Sequence, residues 1–138
     1  MIFGKKVITW SRIGEVDGND LLLCDTVFDS LEFGKTNEYE SSTVRKRCRE
    51  LYNECFSEEE RNCLVEHPII GDHVFLLSKE EYLKHKYVIN TVRWSWWLRS
   101  PGSYPNSAAY VYVDGGVSND YVSYGYLVLR PAIILRKE

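Results

Sequence analysis

The order of apolar and polar positions predicts a helix in the middle of the chain. Apolar residues recur there at the spacing of one helix face, at Val44, Cys48, Leu51 and Cys55. Hydroxyl residues at positions 41–43 come immediately before them and can accept hydrogen bonds from the first free amides of a helix. Charged residues at positions 45–50 occupy the other faces, and we expect them to form the solvated side of an amphipathic helix.

Two shorter helices are predicted by capping boxes. In such a box a Ser at the N-cap is followed three residues later by a Glu whose side chain reaches back to the Ser amide. The two boxes are Ser57-Glu58-Glu59-Glu60 and Ser78-Lys79-Glu80-Glu81. We expect the first helix to continue through Val65 and to end at Pro68, and the second to cover about two turns.

Strand patterns dominate the N-terminal part. Apolar positions 7–10 and 21–23 flank a polar stretch containing Asp17-Gly18, which is a strong turn signal. These positions predict a β-hairpin from Lys6 to Asp25. The mixed residues 26–39 are expected to form a connecting loop.

Further strands are predicted at residues 72–77 and throughout the C-terminal part. Residues 109–113 alternate tyrosine with smaller residues at the period of a strand. Residues 127–135 form a last apolar strand, in which Pro131 permits only an edge position, a strand end or a bulge. The chain therefore predicts an α+β fold with two or three short helices and antiparallel strands.

Composition and charge limit the classes of partner. A length of 138 residues suits a single domain, residues 1–138, and 44% apolar with 27% charged residues is typical of globular proteins. The net charge of -3 predicts no nucleic-acid partner. No apolar run approaches the roughly 20 residues of a membrane span, and no signal peptide is evident, so we expect a cytoplasmic or particle-associated protein.

The cysteines and histidines predict neither a metal site nor a cofactor nor catalysis. Cys24, Cys48, Cys55 and Cys63 include no C-x-x-C pair, and we expect Cys48 and Cys55, two turns apart on the predicted helix, to be small buried apolar residues. The three histidines show no metal-binding or catalytic spacing. We therefore expect a protein that is not an enzyme.

Tyrosine is concentrated in one polar segment, since six of the ten tyrosines lie between Tyr104 and Tyr126. Between Ser103 and Tyr126 the chain contains no Lys, Glu, Gln, Met or Trp. Tyr, Ser, Asn and Gly are typical of binding surfaces held on a rigid frame. The candidate ligand-binding residues are Tyr104, Asn106, Tyr110, Tyr112, Ser118, Asn119, Asp120, Tyr121, Ser123, Tyr124 and Tyr126. Strand alternation predicts that about half of those on strands face inward.

The segments that flank this polar stretch are expected to be its frame. Trp94 begins the first, which ends at Gly102, and the second is the apolar strand 127–135. We expect the rings of Trp96 and Trp97 in the core. The guanidinium groups of Arg99 and Arg130 are expected to bond carbonyls or a carboxylate and so to hold loops.

The residues Trp96-Trp97-Leu98-Arg99-Ser100-Pro101-Gly102 and Leu129-Arg130-Pro131-Ala132 resemble the motifs of a bacterial and phage domain family of unknown function. Residues 42–56 and 72–78 resemble its helix and its D-x-x-FLLS strand. The family resembles the C-type-lectin-like fold, which formylglycine-generating enzymes and the variable proteins of diversity-generating retroelements share. In those variable proteins, adenine-directed mutagenesis randomises a C-terminal patch. Tyr, Ser, Asn, Asp and Gly are among the residues that an asparagine template codon can reach.

Three functions follow as alternatives. The first is a non-catalytic ligand- or protein-binding module that presents the Tyr/Ser/Asn-rich surface, with the variable protein of a diversity-generating retroelement as its specific form. The second is an interaction domain of a phage or surface assembly, whose tyrosines pack against a partner chain. The third, a formylglycine-generating-type enzyme, lacks the C-terminal cysteine pair of that class, because no Cys follows Cys63.

Calcium-dependent sugar binding is not expected from the same resemblance. Only Asp114 and Asp120 are charged between Ser103 and Tyr126, whereas calcium takes six to eight oxygen ligands. The expected partner is a protein or a surface ligand. The sequence specifies neither its identity nor the oligomeric state.

Overall fold

The computed structural model describes residues 8–137 and shows a mixed α+β fold of mostly antiparallel strands with a few short helices. The strands are β1 (Trp10–Val16), β2 (Asn19–Cys24), β3 (Phe28–Ser30), β4 (Leu64–Val65), β5 (Val74–Phe75), β6 (Trp96–Pro101), β7 (Ser107–Val111), β8 (Val117–Tyr121), β9 (Val128–Leu129) and β10 (Ala132–Leu135). The helices are α1 (Thr43–Cys55), α2 (Glu58–Arg61) and α3 (Lys79–His85), with 3₁₀ turns at Tyr39–Ser41 and Lys86–Val88.

The strands form two sheets. In the first the order is β1-β2-β10-β4, and β5 also pairs with β10. In the second the order is β3-β9-β6-β7-β8, antiparallel except for the parallel contact between β6 and β9.

The N-terminal hairpin is confirmed, and its strands are longer toward the turn than predicted. β1 pairs with β2 up to Val16 and Asn19, so the loop contains only Asp17 and Gly18. Both have positive φ, 50° and 81°, as a tight two-residue hairpin turn requires. The predicted start of the hairpin at Lys6 and Val7 lies outside the described residues.

The predicted C-terminal strand 127–135 is wrong as a single element. β9 belongs to the second sheet and β10 to the first, and Arg130-Pro131 separates them. Because Pro131 has no amide hydrogen, it ends one ladder at the point where the chain crosses to the other sheet. Pro131 thus marks a strand end.

Helix α1 is confirmed with the predicted buried face of Val44, Cys48, Leu51 and Cys55. The Ser42 hydroxyl accepts the Arg45 amide hydrogen and caps the helix. Both capping boxes are present, at Ser57 and Ser78.

Three predictions for the middle of the chain are corrected. Helix α2 ends at Arg61, because Leu64 and Val65 pair with Leu135 and Ile134 of β10 as strand β4. The predicted loop 26–39 contains strand β3, which pairs with β9. The predicted strand 72–77 is reduced to the two residues of β5.

The expected burial of Cys48 and Cys55 is confirmed; Cys24 is also buried, whereas Cys63 is exposed. Burial is the main reason why the pKa of Cys24 and of Cys48 is raised to about 12. These two thiols are therefore protonated at neutral pH, and protonated thiols are poor nucleophiles.

Candidate functional site

Strand β6 carries the Trp-Trp segment and separates two hydrophobic clusters. Trp97 lies in the cluster with helix α1, and Trp96 lies in the cluster with helix α3. Trp97 Nε1 donates to the Leu31 carbonyl over 2.9 Å, and the Trp97 ring meets Phe33 edge-on at 5.5 Å. Both rings are fully buried as predicted, whereas Trp94 is 51% exposed and so is not a core anchor.

Five of the eleven predicted binding residues lie on strands β7 and β8, the other six lie in the adjoining loops, and none of the eleven is buried. Tyr110 and Asp120 are half-buried, and the other nine are exposed. Tyr110 points toward the helix α1 side and packs near Trp97, with ring centroids 6.5 Å apart. Tyr110 therefore packs partly against the buried core beneath the sheet.

Two adjoining segments of the chain, one before β7 and one at and after the end of β8, contain six of the predicted residues, which we call the tyrosine surface: Tyr104, Asn106, Tyr121, Ser123, Tyr124 and Tyr126. The Val122 amide donates to the Asn106 carbonyl over 2.9 Å, joining the segment after β8 to the loop before β7. The rings of Tyr124 and Tyr126 meet edge-on at 5.3 Å. The six residues thus come from two adjoining loops.

Strand β8 supports the tyrosine surface. The side-chain oxygen of Asn119 accepts the Ser103 amide hydrogen, and its nitrogen donates to the Ser103 hydroxyl over 3.2 Å. A Cβ at Gly102 would lie within 3 Å of the Ser107 hydroxyl and the Asn119 amide, so the backbone there approaches β7 and β8 closely. Asn119, predicted to bind ligand, positions this loop.

Tyr112 does not join the tyrosine surface, because β7 runs from one end of the sheet to the other. Tyr104 precedes β7 and Tyr112 follows it, and five strand residues span roughly 17 Å. Tyr112 is therefore separated from Tyr104 by the length of β7.

The second end exposes an apolar and basic area, which we call the aromatic–basic patch. Its exposed apolar residues are Leu83, Tyr87, Val88, Trp94, Tyr112 and Val113. The Tyr82 hydroxyl donates to the Gly115 carbonyl over 2.6 Å and holds α3 against the β7–β8 turn. Among the described residues, Lys84, Lys86 and Arg93 have no carboxylate within ion-pair distance.

A cleft of about 460 Å³ adjoins the tyrosine surface, and we call it the arginine cleft. It is lined by Tyr39, Glu40, Arg45, Ile69, Ile70, Arg99, Ser100 and Pro101. The two sites meet along the chain at Pro101 and across it at Asn37, whose side chain donates to the Tyr104 carbonyl over 3.5 Å.

A bulge places Arg99 in this cleft. Trp97 pairs with Tyr110 and Pro101 with Ala108, so β6 advances four residues while β7 advances two. The extra residues turn the chain away from the ladder, and the Arg99 amide donates instead to the Leu77 carbonyl. Sequence periodicity gave no sign of this bulge.

Behind the cleft, Arg99 belongs to a nearly buried network. Its Nη1 donates to the Leu76 carbonyl and to Glu81, and His67 Nε2 contacts the other Glu81 oxygen at 2.7 Å. Burial alone would raise the pKa of Glu81, but hydrogen bonds from His67 and Arg99 outweigh it and lower the pKa to about 2. The Arg99 prediction of carbonyl and carboxylate partners is confirmed.

Arg45 is paired rather than solvated. It lies on α1, and its Nε and Nη2 donate to the two Asp72 oxygens over 2.7 and 3.0 Å. The hydrogen bond to Asp72 is the main reason why the pKa of Arg45 is raised. Because 27 residues separate the partners, sequence reasoning missed this pair and assigned Arg45 to the solvated helix face.

No cluster of three or more His, Cys, Asp or Glu side chains suited to a metal ion occurs within residues 8–137. In the same range, no helix has both the length and the apolar character needed to cross a membrane.

A family model described as Domain of unknown function (DUF6273) matches residues 17–137, which include the tyrosine surface and the arginine cleft. The chain belongs to the DUF6273 family. Comparison of this DUF6273 domain with curated proteins finds no match. Comparison with solved structures likewise finds none.

Proposed function

We propose that this DUF6273 domain is a non-catalytic binding module whose protein or surface ligand contacts the tyrosine surface. One observation carries the proposal: Tyr104, Tyr121, Tyr124 and Tyr126 are exposed by 66, 62, 42 and 76% on two adjoining segments of the chain. Exposed aromatic side chains grouped in this way mark interaction sites more often than scattered ones do.

The frame beneath these tyrosines is suited to binding. Trp97, Ala108 and Val122 are buried below the two loops, and backbone hydrogen bonds fix both loop ends. Tyrosine has only two side-chain torsions, so it loses little conformational entropy on binding and adds a hydroxyl for hydrogen bonding. Loops held on such a frame are the usual place for recognition.

The specific form of this proposal is a C-type-lectin-like variable protein of a diversity-generating retroelement. It is supported by the restricted composition of residues 103–126, which include all six residues of the tyrosine surface. The DNA beside the gene tests this form. We expect a near-repeat of codons 103–126 that differs at adenines, together with a reverse transcriptase gene. If the complete locus contained neither the near-repeat nor the reverse transcriptase gene, diversification would be excluded. The proposal that the tyrosine surface binds a ligand would be unaffected.

A peptide selection tests binding itself. Random peptides would be selected on the immobilised protein, and their affinity measured for the triple variant Tyr104→Ser, Tyr121→Ser, Tyr126→Ser. We expect at least a tenfold loss, because aromatic residues dominate such interfaces. The matched control is Tyr87→Ser, which removes a tyrosine that is 98% exposed outside the tyrosine surface. Equal affinity for the wild type and the triple variant would contradict the proposal.

A second candidate function is an interaction domain of an assembly, favoured by the aromatic–basic patch. Residues 83–94 carry three positive charges and no acidic residue, so the rest of the -3 chain has a net charge of -6. We propose that a second copy of the chain covers this patch with an acidic face. Light scattering at rising protein concentration should show a mass increase that Trp94→Ser and added salt abolish. A monomer at every concentration would contradict it.

A further inference from the structure

We propose that the arginine cleft binds the carboxylate or phosphate group of a small ligand, with Arg99 as its main contact. This inference does not rest on the proposed function, although the cleft adjoins the tyrosine surface. Three observations support it. Arg99 has guanidinium hydrogens that no acceptor of the protein uses. The carboxylates of Asp72 and Glu81 are already paired within the protein, and exposed apolar side chains lie beside the arginines.

The tautomer of His67 decides which Arg99 hydrogens are used. His67 Nδ1 accepts the Ile69 amide hydrogen over 3.1 Å, so Nδ1 carries no proton. The proton of the neutral ring is then on Nε2, which donates it to Glu81. His67 Nε2 therefore offers no lone pair to Arg99 Nη2, 3.4 Å away.

Arg99 consequently has an unused donor edge. Only its Nη1 has acceptors among the described residues, namely the Leu76 carbonyl and Glu81. The Nε hydrogen and one Nη2 hydrogen point from the same edge of the planar guanidinium group, the geometry that receives a carboxylate or phosphate through two parallel bonds. No side-chain nitrogen within the described residues is both buried and unpartnered, so Nε contacts solvent, and the cleft is the opening that Arg99 lines.

Two acidic groups beside the cleft, Asp72 and Glu81, are already paired within the protein. Asp72 is used by Arg45 and Arg49, and Glu81 is used by His67, Arg99 and the Ser78 amide. Asp72 keeps Arg45 in place, and one Nη1 hydrogen of Arg45 remains after its bond to the Glu40 carbonyl. Apart from Glu40, the charged side chains that line the cleft present donors and a positive charge.

An apolar wall faces these donors. Ile69 is 85% exposed, and Ile70, Pro101 and the Tyr39 ring lie beside it. A ligand that covered these side chains would remove apolar surface from water, which is favourable. A volume of about 460 Å³ lies in the range of small-molecule sites. The cleft therefore suits an anionic group attached to an apolar body.

Nuclear magnetic resonance of the arginine Nε–H groups tests the inference on the whole protein. The probes are acetate, phenylacetate and inorganic phosphate, each added at constant ionic strength against sodium chloride. We expect the Arg99 Nε–H signal to shift saturably, with Kd on the order of 1–10 mM for acetate or phosphate. Phenylacetate should bind roughly tenfold more tightly than acetate, because its ring covers the apolar wall. The acetate and phosphate arms separate a carboxylate ligand from a phosphate ligand.

Two controls distinguish binding in the cleft from a general effect of added anions. Arg93 is exposed, has no ion pair within residues 8–137 and lies outside the cleft, so its Nε–H should show only a small linear shift. Ile69→Ser, at an exposed position, should remove the preference for phenylacetate. An Arg99 shift that is linear and equal to that of Arg93 would overturn the inference. The triple tyrosine variant should leave the Arg99 shift unchanged. A negative result for the arginine cleft therefore does not contradict the proposal for the tyrosine surface, and the reverse also holds.

Discussion

At the residue scale, one buried arginine links the two sheets. Arg130 is 2% exposed, and its guanidinium donates to the Cys24 carbonyl over 2.7 Å and to the Asn90 carbonyl over 2.9 Å. The same group lies 5.2 Å above the Trp96 ring. It bonds to strand β2 of the first sheet and to the loop before β6 of the second, at the point where the chain crosses.

Arg130→Lys tests this role. Lysine keeps the charge but cannot bond two carbonyls in the planar geometry of a guanidinium, so we expect a loss of about 2–4 kcal/mol in the free energy of unfolding. Urea denaturation measures it. The control Arg136→Lys, at an exposed position, should change the free energy of unfolding by no more than about 0.5 kcal/mol. Equal effects of the two variants would contradict this account of Arg130.

Glu81 predicts how the stability of the fold depends on pH. Its pKa is about 2 in the folded protein against an ordinary 4.5, so its ionised form stabilises the fold. That contribution is present above pH 4.5 and is lost as the pH falls through 2. Glu81→Gln keeps the capping geometry and removes the charge, so we expect a loss on the order of 3 kcal/mol at pH 7 and a flatter profile between pH 5 and 2.

Urea denaturation at several pH values measures the effect, and Glu80→Gln is the matched control. Glu80 is the preceding residue of α3, is exposed and has no ion pair among the described residues. It should change the free energy of unfolding little at any pH. If Glu80→Gln and Glu81→Gln gave the same profile, the His67–Glu81–Arg99 network would not be stabilising.

The sequence predicts that Arg99 and Arg130 bond to carbonyl or carboxylate groups, but it does not predict the arginine cleft. A Trp-Trp-Leu-Arg segment indicates a buried strand, and a buried guanidinium must find carbonyls or carboxylates. The cleft depends on the β6 bulge and on Asp72 meeting Arg45 from 27 residues away. Neither has a local sequence pattern.

At the element scale, helix starts were predictable and short strands were not. Ser42, Ser57 and Ser78 cap helices through contacts within three residues, so the sequence alone contains the whole motif. Strands β4 and β9 form because their backbones hydrogen-bond to strands that are distant in sequence. Two-residue strands have too few positions to show a period, and tertiary pairing decides them.

Ser42→Ala measures the cap of α1. The Ser42 hydroxyl accepts the Arg45 amide hydrogen and donates to the Tyr39 carbonyl over 2.7 Å, while its side chain is buried. Its loss should lower the free energy of unfolding by about 1–2 kcal/mol. Ser41→Ala, at the neighbouring exposed position, should have little effect in the same thermal or urea unfolding experiment. Equal losses would show that the cap is not formed.

At the scale of the whole molecule, the chain has three exposed sites outside its two buried clusters. The tyrosine surface and the arginine cleft adjoin at Pro101, and the aromatic–basic patch lies at the other end of β7. The sequence predicted a tyrosine-rich surface but not its division, because the direction of β7 places Tyr112 far from Tyr104. Residues 17–137 of the DUF6273 match carry all three sites.

Hydroxyl-radical footprinting of the protein with and without a selected peptide tests the central claim most directly. Mass spectrometry would follow the oxidation of each tyrosine in one sample. We expect the peptide to protect Tyr104, Tyr121, Tyr124 and Tyr126, while Tyr87 and Tyr112 react at the rate of the free protein. Protection of Tyr87 and Tyr112 with the tyrosine surface still reactive would contradict the claim that the ligand binds there.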